Sequence, residues 1–267
     1  MQKIDLTDVT FLIPVRIDSP DRLENLRLAI QFLNFYLDTH IAVLEADTEE
    51  KVQMTGNVRK WFVEDHDPVF HRTRYLNQMT RQATTPYLSI WDADVIGIPS
   101  QLEAGVNLLR EGKADMVFPY GKRFYAVPKF IKELYANNDC RLDILEEAKE
   151  YMDVMPGDWP VGGAFLVNRK AYIEAGMENE HFYGWGREDA ERVVRWDTLG
   201  YRIKRVEGPL FHLPHPRKSW FDSKETEIRN RGEFLRVCAM NPQQLKEYIR
   251  DADWMQVEQA EHKSLSS

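Results

Sequence analysis

Two hydrophobic periods alternate along the chain. Residues 9–15 (VTFLIPV) are an apolar run without helical spacing, bounded by Asp8 and by Arg16-Ile17-Asp18. That pattern predicts a buried strand of parallel type ending in a functional loop. Over residues 21–37 the period changes, with Leu23, Leu26, Ala29, Ile30, Leu33 and Leu37 at three- and four-residue steps after Ser19-Pro20. This is the signature of an amphipathic helix with its start signal. Residues 41–44 and 60–63 predict two more strands, residues 73–82 a helix, and residues 87–91 a strand running into Asp92-Ala93-Asp94. A helix over 99–110 and a strand over 116–119 follow, then a helical, charged stretch over 130–151. A strand over 157–167 passes through Gly162-Gly163, and a short helix over 170–175 precedes a longer one over 189–199, closed by Gly200. Residues 201–206 predict a late strand, and beyond Trp220 the chain reads as helical and increasingly polar, with a soft tail over 261–267.

Strands alternating with helices predict an α/β fold: an open, mostly parallel twisted sheet flanked by helices. With no internal repeat and no low-complexity linker, the simplest division is one domain over residues 1–220 with a C-terminal helical extension of the same domain over 221–267. Open sheets of this kind take ligands at the carboxyl ends of their strands. Polar residues gather there: Arg16 and Asp18 after the first strand, Glu45 and Asp47 after the second, Asp92 and Asp94 after the fourth.

Composition narrows the partners. A chain of 267 residues, 43% hydrophobic and 12% aromatic, can bury one large core. The formal charge of -8 without a long Lys/Arg block excludes a nucleic-acid backbone as partner, so any anionic ligand must be held by local devices such as an ion or an arginine. Cys140 and Cys238, far apart, exclude a disulfide scaffold and a cysteine zinc site. The start MQKIDLTDVTFLIPV lacks the basic-then-apolar order of a signal peptide, and no apolar run reaches the ~20 residues of a membrane span. The expectation is a cytoplasmic protein, able to rest on the inner face of a membrane.

Three constellations carry chemistry. Asp92 and Asp94, two apart at a strand end, point the same way if extended and can address one hard cation or its ligands; the bland reading is a solvated turn. In Phe211-His212-Leu213-Pro214-His215-Pro216-Arg217, two histidines three apart on a proline-stiffened loop can present imidazole nitrogen to a metal, or merely cap neighbouring carbonyls. In Phe182-Tyr183-Gly184-Trp185-Gly186-Arg187-Glu188-Asp189, glycines flank a tryptophan whose indole face suits a sugar ring. Glu188 and Asp189 then open a helix whose dipole favours their ionised form, as a general base requires; an ordinary acidic helix start reads the same way. Gly162-Gly163 is either a tight bend or a close passage for ligand. Arg16, His71 and Arg72 are candidates to neutralise phosphate; Tyr120, Lys122, Arg123 and Tyr125 could line the same cleft, without local support.

Taken together these motifs resemble the catalytic domain of GT-A-fold glycosyltransferases, most similar to the β-1,4-galactosyltransferase and chondroitin-polymerase type. Pro14-Val15-Arg16 resembles the first nucleotide-binding segment, residues 70–77 (FHRTRYLN) the F-N-R-x-x-x-L-N segment, and Trp91-Asp92-Ala93-Asp94 the D-x-D segment. Gly162-Gly163-Ala164 is similar to the glycine pair ahead of the acceptor loop, and residues 184–189 to G-W-G-x-E-D. The resemblance covers roughly residues 9–217, in the family's order. It implies a UDP-sugar donor bound by Pro14, Arg16, Asp18, Glu45, Asp47, Arg72, Asp92 and Asp94, and Mn²⁺ or Mg²⁺ on Asp94, His215 and His212, the last at a position where galactosyltransferases carry methionine. It implies inverting transfer with Asp189 as base, and Glu188, Trp185, Gly162, Gly163 and Gly186 shaping the sites for the sugar and for an oligosaccharide or glycolipid acceptor. Arg187 departs from the glycine of G-W-G-G-E-D. Two alternatives stay open: a retaining transferase of the same fold, and a non-catalytic carbohydrate-binding protein. The glycine-free loop PVRIDSPDR argues against a nucleotidyltransferase. The helical tail could close the site, pair two subunits or touch a membrane.

Overall fold

The computed structural model describes residues 2–54, 56–157, 159–216 and 224–256, and the elements below are those of these residues. The boundary at residue 220, Arg217 and the tail over 261–267 lie outside them. The chain opens with β1 (Ile4–Val15), α1 (Pro20–Tyr36), β2 (Leu37–Asp47), β3 (Val58–Glu64), α2 (Arg72–Gln82) and β4 (Tyr87–Trp91). Then come β5 (Val95–Ile96), α3 (Pro99–Arg110), β6 (Met116–Phe118), β7 (Arg123–Ala126), α4 (Lys129–Ala136), α5 (Leu142–Glu147), a 3₁₀ turn (Ala148–Tyr151) and β8 (Asp153–Val154). The last part holds β9 (Ala164–Asn168), α6 (Arg169–Glu174), α7 (Glu188–Thr198), β10 (Ile203–Arg205), β11 (Pro209–His212), α8 (Lys224–Cys238) and α9 (Pro242–Asp251).

Seven strands form the main sheet in the order β10-β6-β9-β4-β1-β2-β3. Its pairs are parallel except where β9 lies antiparallel between β4 and β6, so the predicted mostly parallel sheet stands. The apolar run of β1 occupies the middle, buried from Val9 to Val15, because helices cover both faces of such a sheet. Trp91, at the end of β4, is fully buried edge-on to Phe11 and stacked near Phe32 of α1. Its indole N–H donates to Val95 O at 3.1 Å, so one core side chain spans the Asp92-Ala93-Asp94 turn and holds its shape. Burying such a ring contributes roughly 1.5–3 kcal/mol.

A second, four-stranded sheet, β5-β11-β7-β8, has no counterpart in the sequence reading. Residues 209–212 are its strand β11, where the proline-flanked histidines predicted only a rigid loop. The two-residue β5 and four-residue β11 are too short to show a period; pairing across the sheet makes them strands. The predicted strand over 157–167 is β9 alone, entered through Gly162-Gly163.

The C-terminal part packs back onto the domain. Asn230, Glu233 and Val237 of α8 are buried, α9 starts with a capping box made by Asn241 and Gln244, and Trp254 joins the main core with its indole N–H on Gly176 O. Among the described residues no helix is long and apolar enough to cross a membrane.

Candidate functional site

Asp92-Ala93-Asp94 is a turn, and the two carboxylates take different partners instead of pointing the same way. The extended reading fails because β4 stops at Trp91 and the chain reverses into β5. Pairing of β5 with β11 sets His212 opposite Val95, and Leu213 N donates to Asp94 O at 2.7 Å. This tertiary contact delivers both histidines to Asp94. His215 Nε2 lies 3.1 Å from Asp94 Oδ2 and His212 Nε2 lies 3.8 Å from Oδ1. One ligand atom from each of the three residues falls within 4.8 Å of the others. A carboxylate with two imidazoles suits a first-row divalent ion such as Mn²⁺ better than Mg²⁺, which prefers oxygen, and three protein ligands leave positions for phosphate oxygens. Arg22, reached from α1 and braced by Asp18 at 3.0 Å, also touches Asp94 Oδ2 and His215 Nδ1. Burial would raise the Asp94 carboxyl, but the hydrogen bond from His215 and the charges of His212 and Arg22 prevail and hold it below the usual carboxylate range. His215 is raised, chiefly by the same bond to Asp94.

Arg72 begins α2 and sits between the two acidic motifs. Its Nη2 donates to Asp92 Oδ1 at 2.6 Å, while its Nη1 is buried with no hydrogen-bond partner. Burial disfavours its charge, yet Asp92, then Asp189, Glu178 and Glu188, hold the guanidinium above its ordinary value. An arginine fixed on one side and with a spare donor on the other is a ready anion contact.

Glu188 and Asp189 open α7 as predicted, but the helix dipole does not decide their charge. Burial and then the neighbouring Asp189 push Glu188 up to about 7, and burial raises Asp189 against the opposing charges of Arg192 and Arg72. Desolvation of a carboxylate outweighs a dipole worth at most ~2 kcal/mol. Glu188 accepts from Gly186 N at 2.8 Å, and Asp189, with 27% of its side chain exposed, accepts from Arg192. These two line a cavity of ≈ 390 Å³ with Trp185, Gly186, Arg187, Glu227 and Asn230. Trp185 is 60% exposed at its mouth. Arg187 takes a left-handed conformation, φ 71°, and turns its guanidinium over Phe234 of α8. The glycine pair has a physical cause: a Cβ on Gly162 would stand 2.8 Å from Asp189 Oδ2, and one on Gly163, at φ +83°, 2.9 Å from Phe124. Tyr120 reaches the same place, donating to Gly162 O at 2.5 Å.

The remaining strand-end residues brace loops. Arg16 donates to Ala46 O and Asp67 O and pairs with Asp65; Pro14 is buried within β1. Glu45 is wholly buried, accepting from Lys51 N and Val52 N and pairing with Lys60, and Asp47 caps Thr48 N and pairs with Lys51. His71 meets Glu180 O at 3.0 Å instead of an open anion site. Sequence reasoning missed Arg22, Glu178, Arg192, Glu227 and Asn230, and carried Asn77 only as the end of the segment over residues 70–77. Two spacings left a signal, Asp18–Arg22 four apart and Asp189–Arg192 three apart on a helix; Glu178, Glu227 and Asn230 meet the site only through tertiary contacts.

Residues 148–216 match a family model described as the N-terminal domain of galactosyltransferase. No curated protein sequence matches the chain. Among solved structures, the catalytic domain of Drosophila β-1,4-galactosyltransferase 7 in complex with xylobiose aligns at 20% identity over 76% of this chain and 64% of that one, with a TM-score of 0.46. A mutant of the Drosophila enzyme in complex with manganese, UDP-Gal and xylobiose aligns at 18% identity over 85% of this chain and 79% of that one, with a TM-score of 0.52. The chain thus spans just under two thirds of the first and about four fifths of the second. The second alignment shows a shared fold, that of the GT-A galactosyltransferases.

Proposed function

We propose that this chain is a metal-dependent glycosyltransferase that moves a hexose or N-acetylhexosamine from a UDP-sugar to a hydroxyl of an oligosaccharide or glycolipid, with inversion and with Asp189 as base. One observation carries the reading: a carboxylate–imidazole cluster (Asp94, His212, His215) and a cavity-lining carboxylate (Asp189) are both tied electrostatically to the strand-end acidic turn, the first through Asp94 itself and the second through Arg72 and Asp92. The family match over residues 148–216, which contains the G-W-G-R-E-D segment and both histidines, supports it. So does the fold shared with an enzyme crystallised with manganese, UDP-Gal and a disaccharide.

The chemistry follows from the residues. A divalent ion on Asp94, His212 and His215 would stabilise charge developing on the departing diphosphate. Arg72 offers its unpartnered Nη1 to a phosphate oxygen while Asp92 keeps it oriented. Trp185 presents an indole face to the acceptor sugar, and Glu188, holding its proton to about pH 7, can donate to a sugar hydroxyl. Asp189 Oδ2 takes the proton of the acceptor hydroxyl as that oxygen bonds to the anomeric carbon from the face opposite the nucleotide. The bond from that carbon to the diphosphate oxygen breaks, and UDP leaves.

The test is release of UDP from a panel of UDP-sugars, UDP-galactose first, with and without Mn²⁺, and with xylobiose among the acceptors. We expect Mn²⁺-dependent turnover, loss of metal-dependent UDP binding in Asp94→Ala, and Asp189→Asn that binds UDP but loses ~10²–10⁴-fold in transfer. Folded protein that turns over no UDP-sugar leaves a carbohydrate-binding protein as the reading. A product of retained configuration selects the retaining mechanism.

A further inference from the structure

Asp189 is held by a device that the proposed reaction does not by itself require. Arg192, one turn along α7, has no exposed side-chain surface and donates to Asp189 Oδ1. The same guanidinium grips Glu178 with two bonds from Nη1, at 3.0 and 2.8 Å, and lies over the Phe165 ring at 3.9 Å. Glu178 is itself immobilised: Tyr172 donates to its carboxylate at 2.8 Å, and Asn77 of α2 bonds its backbone N–H and C=O at 2.9 and 2.8 Å. The arginine therefore has one buried, clamped end on Glu178 and one working end on the partly exposed Asp189. With Oδ1 engaged, Asp189 Oδ2 stands over the bare backbone of Gly162.

We propose that Arg192 is a positioning residue for the base: anchored by Glu178, it holds Asp189 Oδ1, keeps the carboxylate ionised, and leaves Oδ2 as the oxygen that receives the acceptor's proton. This rests on the reading of Asp189 as base. The charged groups facing Asp189 are Arg192 and Glu188 on its own helix, Arg72 on α2, Asp92 in the strand-end turn and Glu178 in the loop before α7. Three of the five are carboxyl groups, and the site is partly desolvated, so the carboxylate would take up a proton readily without its two arginines. Arg72 hydrogen-bonds Asp92, whereas Arg192 hydrogen-bonds Asp189 itself. Arg192 is thus the cation assigned to Asp189, and the clamp on Glu178 fixes it in one rotamer. An unclamped arginine–aspartate pair three apart on a helix would sample several.

The experiment is titration of full-length protein carrying ¹³C-carboxyl aspartate, with the Asp189 signal assigned by its loss in Asp189→Asn. It is run on the wild type, Arg192→Lys, Arg192→Met and the double variant Arg192→Met/Glu178→Gln. The double variant removes both buried charges together and so avoids stranding Glu178. We expect Asp189 to ionise at least about tenfold less readily in the variants that remove the guanidinium charge, with Arg192→Lys between them and the wild type. In parallel, kcat for Mn²⁺-dependent UDP-sugar turnover should fall on the order of 10²-fold at neutral pH with little change in donor KM, and recover in part at higher pH. Unchanged Asp189 titration and unchanged kcat in a folded variant overturn the role of Arg192. Full turnover in Asp189→Asn instead overturns the base assignment on which the proposal rests, a different result from an active Arg192→Met beside an inactive Asp189→Asn.

Discussion

At the scale of single residues, the adjacent glycines of the Gly162-Gly163 pair exist for different reasons and should fail differently. A methyl group at Gly162 meets Asp189 Oδ2, the far end of a side chain that can rotate while Oδ1 stays on Arg192, so the fold tolerates it while the base oxygen is displaced. Gly162→Ala is expected to cost no more than about 1 kcal/mol of stability and on the order of 10²-fold in kcat. At Gly163 the backbone is left-handed and a Cβ would press on Phe124 and Leu210 in the core. Gly163→Ala should destabilise by about 2–4 kcal/mol. Urea unfolding and donor turnover on both variants check the pair, and equal loss of stability in the two would contradict the distinction.

At the scale of elements, α8 is the back wall of the cavity. Asn230, 1% exposed, accepts from Tyr183 N and donates to the carbonyls of Tyr183 and Trp185, while Glu233 takes bonds from Asn179 and Tyr248. The loop that displays Trp185 is therefore latched to a helix some forty residues on. Asn230→Ala leaves those backbone groups unpaired in a buried place, an expected loss of about 1–3 kcal/mol. Because the latch bears on the tryptophan and not on Asp94, acceptor KM should rise while Mn²⁺-dependent UDP affinity holds, which calorimetry and initial rates can separate. Unaltered acceptor KM would show that α8 only packs. The sequence supplied α8 as part of a polar helical tail able to close the site, pair two subunits or touch a membrane, and could not choose among these because no local pattern encodes a contact between segments so far apart.

At the scale of the whole molecule, buried carboxyls give stability an unusual pH dependence. Folded Glu188 keeps its proton to about pH 7, pushed up by burial and by Asp189, whereas the unfolded chain releases it near the ordinary 4.5. Within that window the folded state binds more protons, so this contribution is whole below pH 4.5 and is lost as pH rises to about 7. Asp94 acts in reverse: its folded carboxyl lies below the ordinary 3.8, so its contribution is present above that value and disappears as acid protonates it. Urea melts in metal-free buffer from pH 4 to 8 should show a falling segment between about 4.5 and 7 that Glu188→Gln flattens; the same slope in both proteins would refute the assignment.

The strand and helix periods of residues 9–110 and an acidic pair at the end of a buried strand were legible locally, because hydrophobic spacing and strand ends are properties of contiguous sequence. So were G-W-G-R-E-D at a helix start and the α/β class that follows from alternation. The second sheet was not, since β5 is a strand only by pairing with β11, more than a hundred residues on, and β11 only by pairing with β5 and β7. That pairing turned a proline-rich histidine loop into the partner of Asp94. Charge was likewise decided in three dimensions: a helix N-terminus promised ionised Glu188 and Asp189, and desolvation against neighbouring carboxylates raised both. Sequence names the groups that can titrate or bind a metal; the packing around them sets their charge and their company.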